Sequence, residues 1–123
     1  MKVLLSIKPE YADKIFAGEK KYEFRRMIFK NQKVTHVVVY VSSPVRKVIG
    51  EFEVLSIIHD DVKALWDKTR SLAGISESKF FDYFSDRDEG YDIKIDETHK
   101  YEHSLSLEEE YGLTPPQSFV YLS

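Results

Sequence analysis

The sequence predicts an α+β domain folded on one small mixed or antiparallel β-barrel, with two or three helices at its side. Three observations lead there. About six β-prone runs alternate with helix-patterned segments, and all carry enough apolar residues to share one core. The runs are too short and too unevenly spaced for a doubly wound parallel sheet. A chain of 123 residues with 42% hydrophobic and 14% aromatic content reads as a single domain over residues 1–123. A domain of this size buries about two-thirds of the surface its unfolded chain exposes, enough for one core to hold it.

Residues 3–7 form a short apolar run that reads as a buried first strand. Pro9 suits the first turn of a helix, and Glu10 its positive end. Tyr11, Ala12, Ile15 and Phe16 fall on one helical face, and Gly18 stands where a C-terminal cap belongs. From Lys20 the period changes to two. Lys20, Tyr22, Phe24 and Arg26 then share one side of a strand, Lys21, Glu23 and Arg25 the other. His36–Val41 is strongly β-prone and stops at the turn signal Ser42-Ser43-Pro44. Residues 48–58 read as a long strand bent or bulged at Gly50, with Glu51 and Glu53 on a wet face.

Asp60 is set to cap a helix carrying Val62, Leu65, Trp66, Thr69 and Leu72. Another helix begins at Ser76, with Ile75 and Phe80 spaced as a hydrophobic staple and Phe81 and Phe84 turned to the core. Gly90 ends it, and residues 91–96 alternate as a strand. Ser106 and Glu109 form a capping box for one more helical turn, closed by Gly112. Pro115 to Ser118 then lead into a last strand, Phe119–Leu122.

Composition excludes several chemistries. Zero cysteines remove disulfides, thiolate nucleophiles and cysteine zinc sites together, and fit a reducing cytoplasm. The apolar run at the N-terminus is too short for a signal peptide, and none approaches the roughly 18 apolar residues of a membrane span. The net charge of −3 conceals a division. Residues 1–47 hold eleven Lys or Arg against four acids, a balance of +7, and residues 48–123 balance at −10. Such asymmetry suits a basic patch for a polyanion beside an acidic flank, or halves interleaved in space so that the patches cancel.

The string Gly18-Glu19-Lys20-Lys21-Tyr22-Glu23-Phe24-Arg25 is the chain's main candidate site. It sets cations and a carboxylate on a few residues of stiff backbone where a helix hands over to a strand. As structure alone it is a solvated strand face, with Glu23 paired to Arg25 for less than about 1 kcal/mol. As a site it recognises a phosphate or a base edge. Arg25 offers a planar fork and Lys20 a point charge, while Glu23 accepts from an exocyclic amine and orients Arg25. Lys21, Arg26, Lys30 and Lys33, with Arg46 and Lys47, extend the field along a backbone. Tyr22, Phe24, Phe29 and Tyr40 interleave these cations as stacking platforms do, although Tyr22 and Phe24 sit on the apolar side of their strand.

Other chemistry is poorly supported. His36, His59, His99 and His103 carry no HExxH pattern, and residues four apart on a strand stand about 13 Å apart. Serine-nucleophile motifs and a glycine-rich phosphate loop are absent. The acids Asp86, Asp88, Glu89 and Asp92 lack EF-hand spacing and read as solvated acid after a helix. No cofactor or metal is expected.

The strings Leu5-Ser6-Ile7-Lys8-Pro9-Glu10-Tyr11 and Ile15 to Arg26 resemble the ASCH domain, a branch of the PUA-like superfamily. More narrowly they are similar to the prokaryotic proteins labelled predicted transcriptional regulators with that domain. Tyr40-Val41-Ser42-Ser43-Pro44, Gly50-Glu51-Phe52-Glu53-Val54, Leu65-Trp66 and Pro115-Pro116-Gln117-Ser118-Phe119 support the resemblance, which spans nearly the whole chain. It implies a PUA-like barrel whose cleft is lined by Lys20, Glu23 and Arg25, with Gly18 as a structural position and Lys21, Arg26, Tyr40, Ser42 and Ser43 around the ligand. RNA or a modified nucleotide is the implied partner, with a use in transcription or translation control. A second branch hydrolyses the amide of N4-acetylcytidine and implies Lys20 as a catalytic residue, with Glu23 only if it takes the carboxylate role. There Glu23 replaces an expected threonine, and Ser71 stands near an expected glutamate. A protein-interaction role is the third alternative.

Overall fold

Period-two runs become strands and capped apolar stripes become helices. The computed structural model describes residues 1–122. Their order is β1 (Lys2–Ile7), α1 (Pro9–Phe16), β2 (Tyr22–Arg25), β3 (His36–Val41), β4 (Lys47–Asp61), α2 (Val62–Thr69), a 3₁₀ turn (Arg70–Leu72), α3 (Glu77–Tyr83), β5 (Glu89–Leu105), α4 (Leu107–Tyr111) and β6 (Phe119–Leu122). The strands form one mixed sheet in the order β2-β5-β4-β3-β1-β6. β1 and β3 pair in parallel, and the other neighbours are antiparallel.

The sheet does not close into the expected barrel, because no ladder joins its edge strands β2 and β6. The described residues also hold four α-helices, not two or three. Side chains bring the edges together instead. Arg25, the last residue of β2, donates from Nη2 to the Ser118 carbonyl at 3.1 Å, just before β6. From Nη1 it donates to the Ser6 carbonyl of β1 at 3.4 Å. Tyr121 Oη accepts from the backbone N–H of Lys30 and of Asn31, each at 3.1 Å. Phe119 meets Phe29 edge to face with ring centroids 6.1 Å apart.

Three apolar clusters sort the faces. The first joins Val3, Leu5 and Ile7 to Val37, Val39, Val41 and Ile93, with Ala12 and Ile15 of α1 packed on it. A second lies under α2 and α3, where the Phe80 ring is about 5 Å from those of Phe24, Trp66 and Phe84. The third sets Leu4, Val38, Tyr40 and Val48 under Leu107 of α4. Each such side chain contributes roughly 1.5–3 kcal/mol by leaving water.

Most caps fall where expected. Ser76 Oγ accepts from Lys79 N–H and Ser106 Oγ from Glu109 N–H, each at 3.2 Å. Gly112 ends α4 with φ 66°. Gly50 lies at register shifts of β4, where a Cβ would come within 2.5 Å of the His99 carbonyl oxygen. Four expectations are corrected. Asp61 rather than Asp60 caps α2, accepting from Ala64 N–H at 2.8 Å, because β4 pairs with β5 as far as Asp61; Asp60 instead binds Lys68 at 2.6 Å. Leu72 is exposed, because the helix gives way to the 3₁₀ turn at Arg70. Phe81 is 37% exposed, since a seven-residue helix keeps one inward stripe, here Phe80 and Phe84. β5 continues past Asp96 to Leu105, because the long β4 offers it a ladder partner as far as Val48. No helix of the described residues is long and apolar enough to cross a membrane.

If the seam rests on Arg25, replacing it with an apolar residue of similar length strands two carbonyls and the Glu23 carboxylate. Arg25→Met is expected to cost about 3 kcal/mol, as breaking one side of a buried ion pair does. Urea denaturation checks this; a loss below about 1 kcal/mol, the worth of an exposed pair, would show that the seam holds without it.

Candidate functional site

The handover from α1 to β2 places the main cation. Gly18 takes φ 80°, and the chain turns back so that the N–H groups of Glu19 and Lys20 reach the Lys14 carbonyl at 2.9 and 3.1 Å. Only glycine adopts that backbone freely. Lys21 N–H then donates to the Leu72 carbonyl at 2.9 Å, tying the strand start to the 3₁₀ turn. Lys20 is left pointing inward and is only 2% exposed. Its stem lies against Gly74, where a Cβ would come within 2.5 Å of Lys20 Cβ. Lys20 Nζ donates to the Ala73 carbonyl at 2.7 Å and lies 4.8 and 5.3 Å from the ring centres of Phe24 and Tyr11.

A buried ammonium with one carbonyl partner is poorly solvated. Burial therefore lowers the Lys20 pKa, while Glu23 and Asp92 oppose the shift and Lys14 adds to it. Glu23 is held by Arg25, Oε2 to Nη1 at 3.2 Å, with both side chains largely buried. Asp92 stands opposite Phe24 on β2 and Ile58 on β4, so its side chain shares their face, beneath the α2–α3 aromatic cluster. It is 0% exposed, and both carboxylate oxygens lack a hydrogen-bond partner among the described residues. Burial pushes its pKa up to about 7, with Lys20 pulling it down and Glu23 pushing it further up.

Above this cluster opens a cleft of about 620 Å³. Lys20, Glu23, Arg25 and Arg26 all line it, with Lys8 and Lys79 as further cations and Glu10 and Asp82 as acids. Tyr11 and Tyr83 supply aromatic walls; Arg26 lies over the Tyr83 ring at 4.4 Å and donates from Nε to the Tyr83 carbonyl at 2.7 Å.

Other expected site residues fall elsewhere. Gly18 follows the C-cap Ala17 of α1 in the left-handed conformation and does not line the cleft. Lys21 lines a separate, smaller cavity of about 390 Å³ with Tyr22 and Lys94. Tyr40, Ser42 and Ser43 line a third cavity of about 600 Å³. Tyr40 is buried in the third cluster and Phe29 in the first, so neither offers a free stacking face. Glu23 and Arg25 do not form a solvated face; they point to the side of the first cluster, as the pairing of Glu23 with Ile93 requires. Arg25 spends its fork on Glu23 and two carbonyls, which makes it a clamp more than a free anion receptor.

Sequence reasoning missed Asp92, Gly74, Tyr83 and Tyr11. Asp92 alternates with Lys94 and Asp96, which reads as a wet side, and only the distant helices cover it. Its neighbours behave as read: Asp86, Asp88 and Glu89 are exposed.

With this geometry in place, comparison with known proteins places the chain. The family model for the ASCH domain matches residues 5–113. The chain belongs to the ASCH domain family. It is 36% identical over 81 residues to an ASCH domain-containing ribonuclease of Zymomonas mobilis, covering 66% of this chain and 55% of that protein. It is 33% identical over 121 residues to ATP synthase subunit alpha of Ureaplasma parvum, covering 98% of this chain but 15% of that protein. The chain thus spans between 15% and 55% of the length of these curated relatives. The crystal structure of ASCH from Zymomonas mobilis matches with a TM-score of 0.91 and 28% identity over 99% of this chain and 87% of that one. A Tyr→Phe variant of the same protein matches with the same TM-score over 90% of its chain.

Two outcomes follow for this ASCH domain. Gly74→Ala forces a Cβ onto the Lys20 stem at a left-handed backbone position, φ 66°, and should cost about 1–3 kcal/mol in thermal or urea unfolding; wild-type stability would contradict the packing of Lys20 against Gly74. Asp92 makes stability depend on pH. Its carboxyl titrates at about 7 when folded against an ordinary 3.8, so between those values the folded chain holds a proton the unfolded chain has lost. Stability therefore falls as pH rises through that window and is level above it. Asp92→Asn should stabilise the domain by an amount that grows from pH 4 to about 7. A gain independent of pH would show that Asp92 is ionised throughout.

Proposed function

We propose that this ASCH domain binds single-stranded RNA or a modified nucleotide in the cleft over Lys20, Glu23 and Arg25, a reading compatible with a use in transcription or translation control. One observation carries it: Lys20 is a buried cation whose three donors meet a single carbonyl, at the floor of a cleft walled by Tyr11 and Tyr83. A ligand phosphate or carbonyl completes its hydrogen bonding, the rings offer faces to a base, and Lys8, Arg26 and Lys79 track a backbone. Glu23, steadied by Arg25, is left to accept from an exocyclic amine. The Zymomonas mobilis relative named a ribonuclease supports RNA as the class of ligand.

Cleavage of that RNA is a second reading, favoured by the buried cluster itself. Burial lowers the pKa of Lys20 and raises that of Asp92 to about 7, the kind of perturbed pair that gathers at acid–base sites. Glu23, a carboxylate in the cleft lining, would take the proton of the attacking 2′-hydroxyl; the new P–O2′ bond forms as the P–O5′ bond breaks, the departing 5′-oxygen takes a proton from solvent, and Lys20 would stabilise charge on the phosphoryl oxygens. Amide hydrolysis of N4-acetylcytidine has less support: Ser71 is exposed and does not line the cleft, and no hydroxyl replaces Glu23.

Fluorescence anisotropy with a short labelled single-stranded RNA tests binding. With three or four phosphates engaged, log affinity should fall against log salt with a slope of about −2 to −3. Lys20→Met should weaken binding at least about tenfold, the loss of one charge-assisted contact. Absence of binding at low salt overturns the proposal. Gel analysis of the same RNA separates the two readings: products lost in both Lys20→Met and Glu23→Gln mean cleavage, and intact RNA with retained affinity means binding alone.

A further inference from the structure

The third cavity, about 600 Å³, is comparable in size to the cleft and lies next to it. The two share Ser6, which lines both, and divide one short segment between them, with Pro116 on the far side and Gln117 on the near side. Ser6 pairs with Tyr40 across β1 and β3, so only one strand spacing, about 5 Å, separates the first residue of one cavity from the wall of the other. The Ser6 hydroxyl donates to the Pro116 carbonyl at 3.0 Å and fixes the partition.

The polar content of this cavity is suited to an anion. Ser42, Ser43, Ser106 and Thr114 bring hydroxyls to it, and Arg46 brings the one cation in its lining, opposed by the exposed Glu108. Arg46 is the only non-glycine among the described residues with a left-handed backbone, φ 55°. That conformation costs a non-glycine residue roughly 1–2 kcal/mol, and strain of this kind gathers where a side chain has to be aimed. No hydrogen bond or ion pair among the described residues engages its guanidinium, in contrast to Arg25, whose Nη1 and Nη2 both donate within the fold, and Arg26, whose Nε does.

We infer that this second cavity is the subsite for the nucleotide adjoining the one held over Lys20, with Arg46 and the hydroxyls of Ser42 and Ser43 on its phosphate. The ligand is then a strand of at least two nucleotides, and a free mononucleotide fills half of the site. The inference rests on the RNA reading of the first cleft and adds its direction: the strand leaves the Lys20 cleft across Ser6 and runs over the β1–β3 side toward the turn at Arg46. An aliphatic floor from Leu107 and Leu113 lets the base lie against apolar surface while the phosphate faces Arg46.

Binding of a nucleoside monophosphate and of a tetranucleotide of the same base, measured by calorimetry on the intact chain, tests this. The tetranucleotide should bind at least about tenfold more tightly, the worth of one further charge-assisted phosphate contact. Arg46→Gly relieves the backbone strain, so the variant should fold at least as well as wild type. It should nevertheless lose that advantage and leave monophosphate affinity unchanged, with the salt slope for the tetranucleotide reduced by about 0.7. The double variant Ser42→Ala, Ser43→Ala should lower tetranucleotide affinity alone. Equal affinity for the two ligands, or an Arg46→Gly variant that binds the tetranucleotide as wild type does, overturns the subsite while leaving the Lys20 cleft standing. Failure of both ligands to bind removes the RNA reading of the cleft, and this inference with it.

Discussion

The guanidinium of Arg25 sits where the two edges of the sheet approach each other, and much of the molecule is arranged around that seam. A sheet with β2 at one end and β6 at the other presents two rows of unpaired backbone groups, and β2 is only four residues long. A ladder between them would close a barrel. Arg25 supplies the closure at one point, taking the carbonyls of Ser6 and Ser118 and the Glu23 carboxylate in one planar fork. Tyr121 Oη and the Phe29–Phe119 contact secure the seam on the side of the β2–β3 connection. The cleft opens at the Arg25 end of the seam, with Ser6, Arg25 and Gln117 in its lining. Its place in the fold therefore follows from how the edges are joined.

Next to the seam the fold tolerates a costly arrangement. Lys20 and Asp92 are both buried, each lowers the cost of the other's charge, and neither is paired well enough to offset its loss of water. Such groups persist when rigid surroundings leave them no alternative. Here the surroundings are Gly74, which leaves space only for the Lys20 stem, and the rings of Phe24, Phe80 and Phe84, which close over the outer side. The N–H groups returning to the Lys14 carbonyl fix the lysine's starting point before its side chain begins. The aromatic cluster under α2 and α3 thus has a part beyond stability, since it keeps water from Asp92 and so keeps its proton near neutrality.

Local chemistry was readable in the sequence wherever a residue's effect is local. Gly18, Ser76, Ser106 and Gly112 act on backbone within a turn of themselves, the serines through a hydroxyl that accepts a helix N–H and the glycines through a left-handed backbone that ends a helix. The strands were readable from alternation. What alternation lacks is knowledge of which face receives a cover. Glu23 and Arg25 look wet by period, yet their side of β2 turns to the first cluster; Asp92 looks wet beside Lys94 and Asp96, yet α2 and α3, which precede β5 in the chain, lie over it. The ends of β4 and β5 were misjudged for a related reason. Each strand persists because the other is there to pair with it, a long-range term that neither segment carries alone. Barrel closure failed likewise, because edge pairing depends on the whole sheet.

The division of charge along the sequence also becomes spatial in a specific way. The cleft draws Lys8, Lys20, Arg25 and Arg26 from the basic first 47 residues and takes Lys79 and Asp82 from α3. Many acids of the later residues, among them Asp96, Glu97, Glu102 and Glu109, stand exposed on the far part of β5 and on α4, away from that lining. Within the cleft two of the three acids are held close to cations, Glu23 by Arg25 and Glu10 at 3.7 Å from Lys79. For the proposed RNA ligand the cleft is a positive mouth, with five cations against three acids in its lining, on a molecule whose net charge is −3. Electrostatics of this kind orient an encounter more than they deepen a complex. Depth of binding has to come from the floor, where burial makes each charge on Lys20 and Glu23 count for more than it would at the rim.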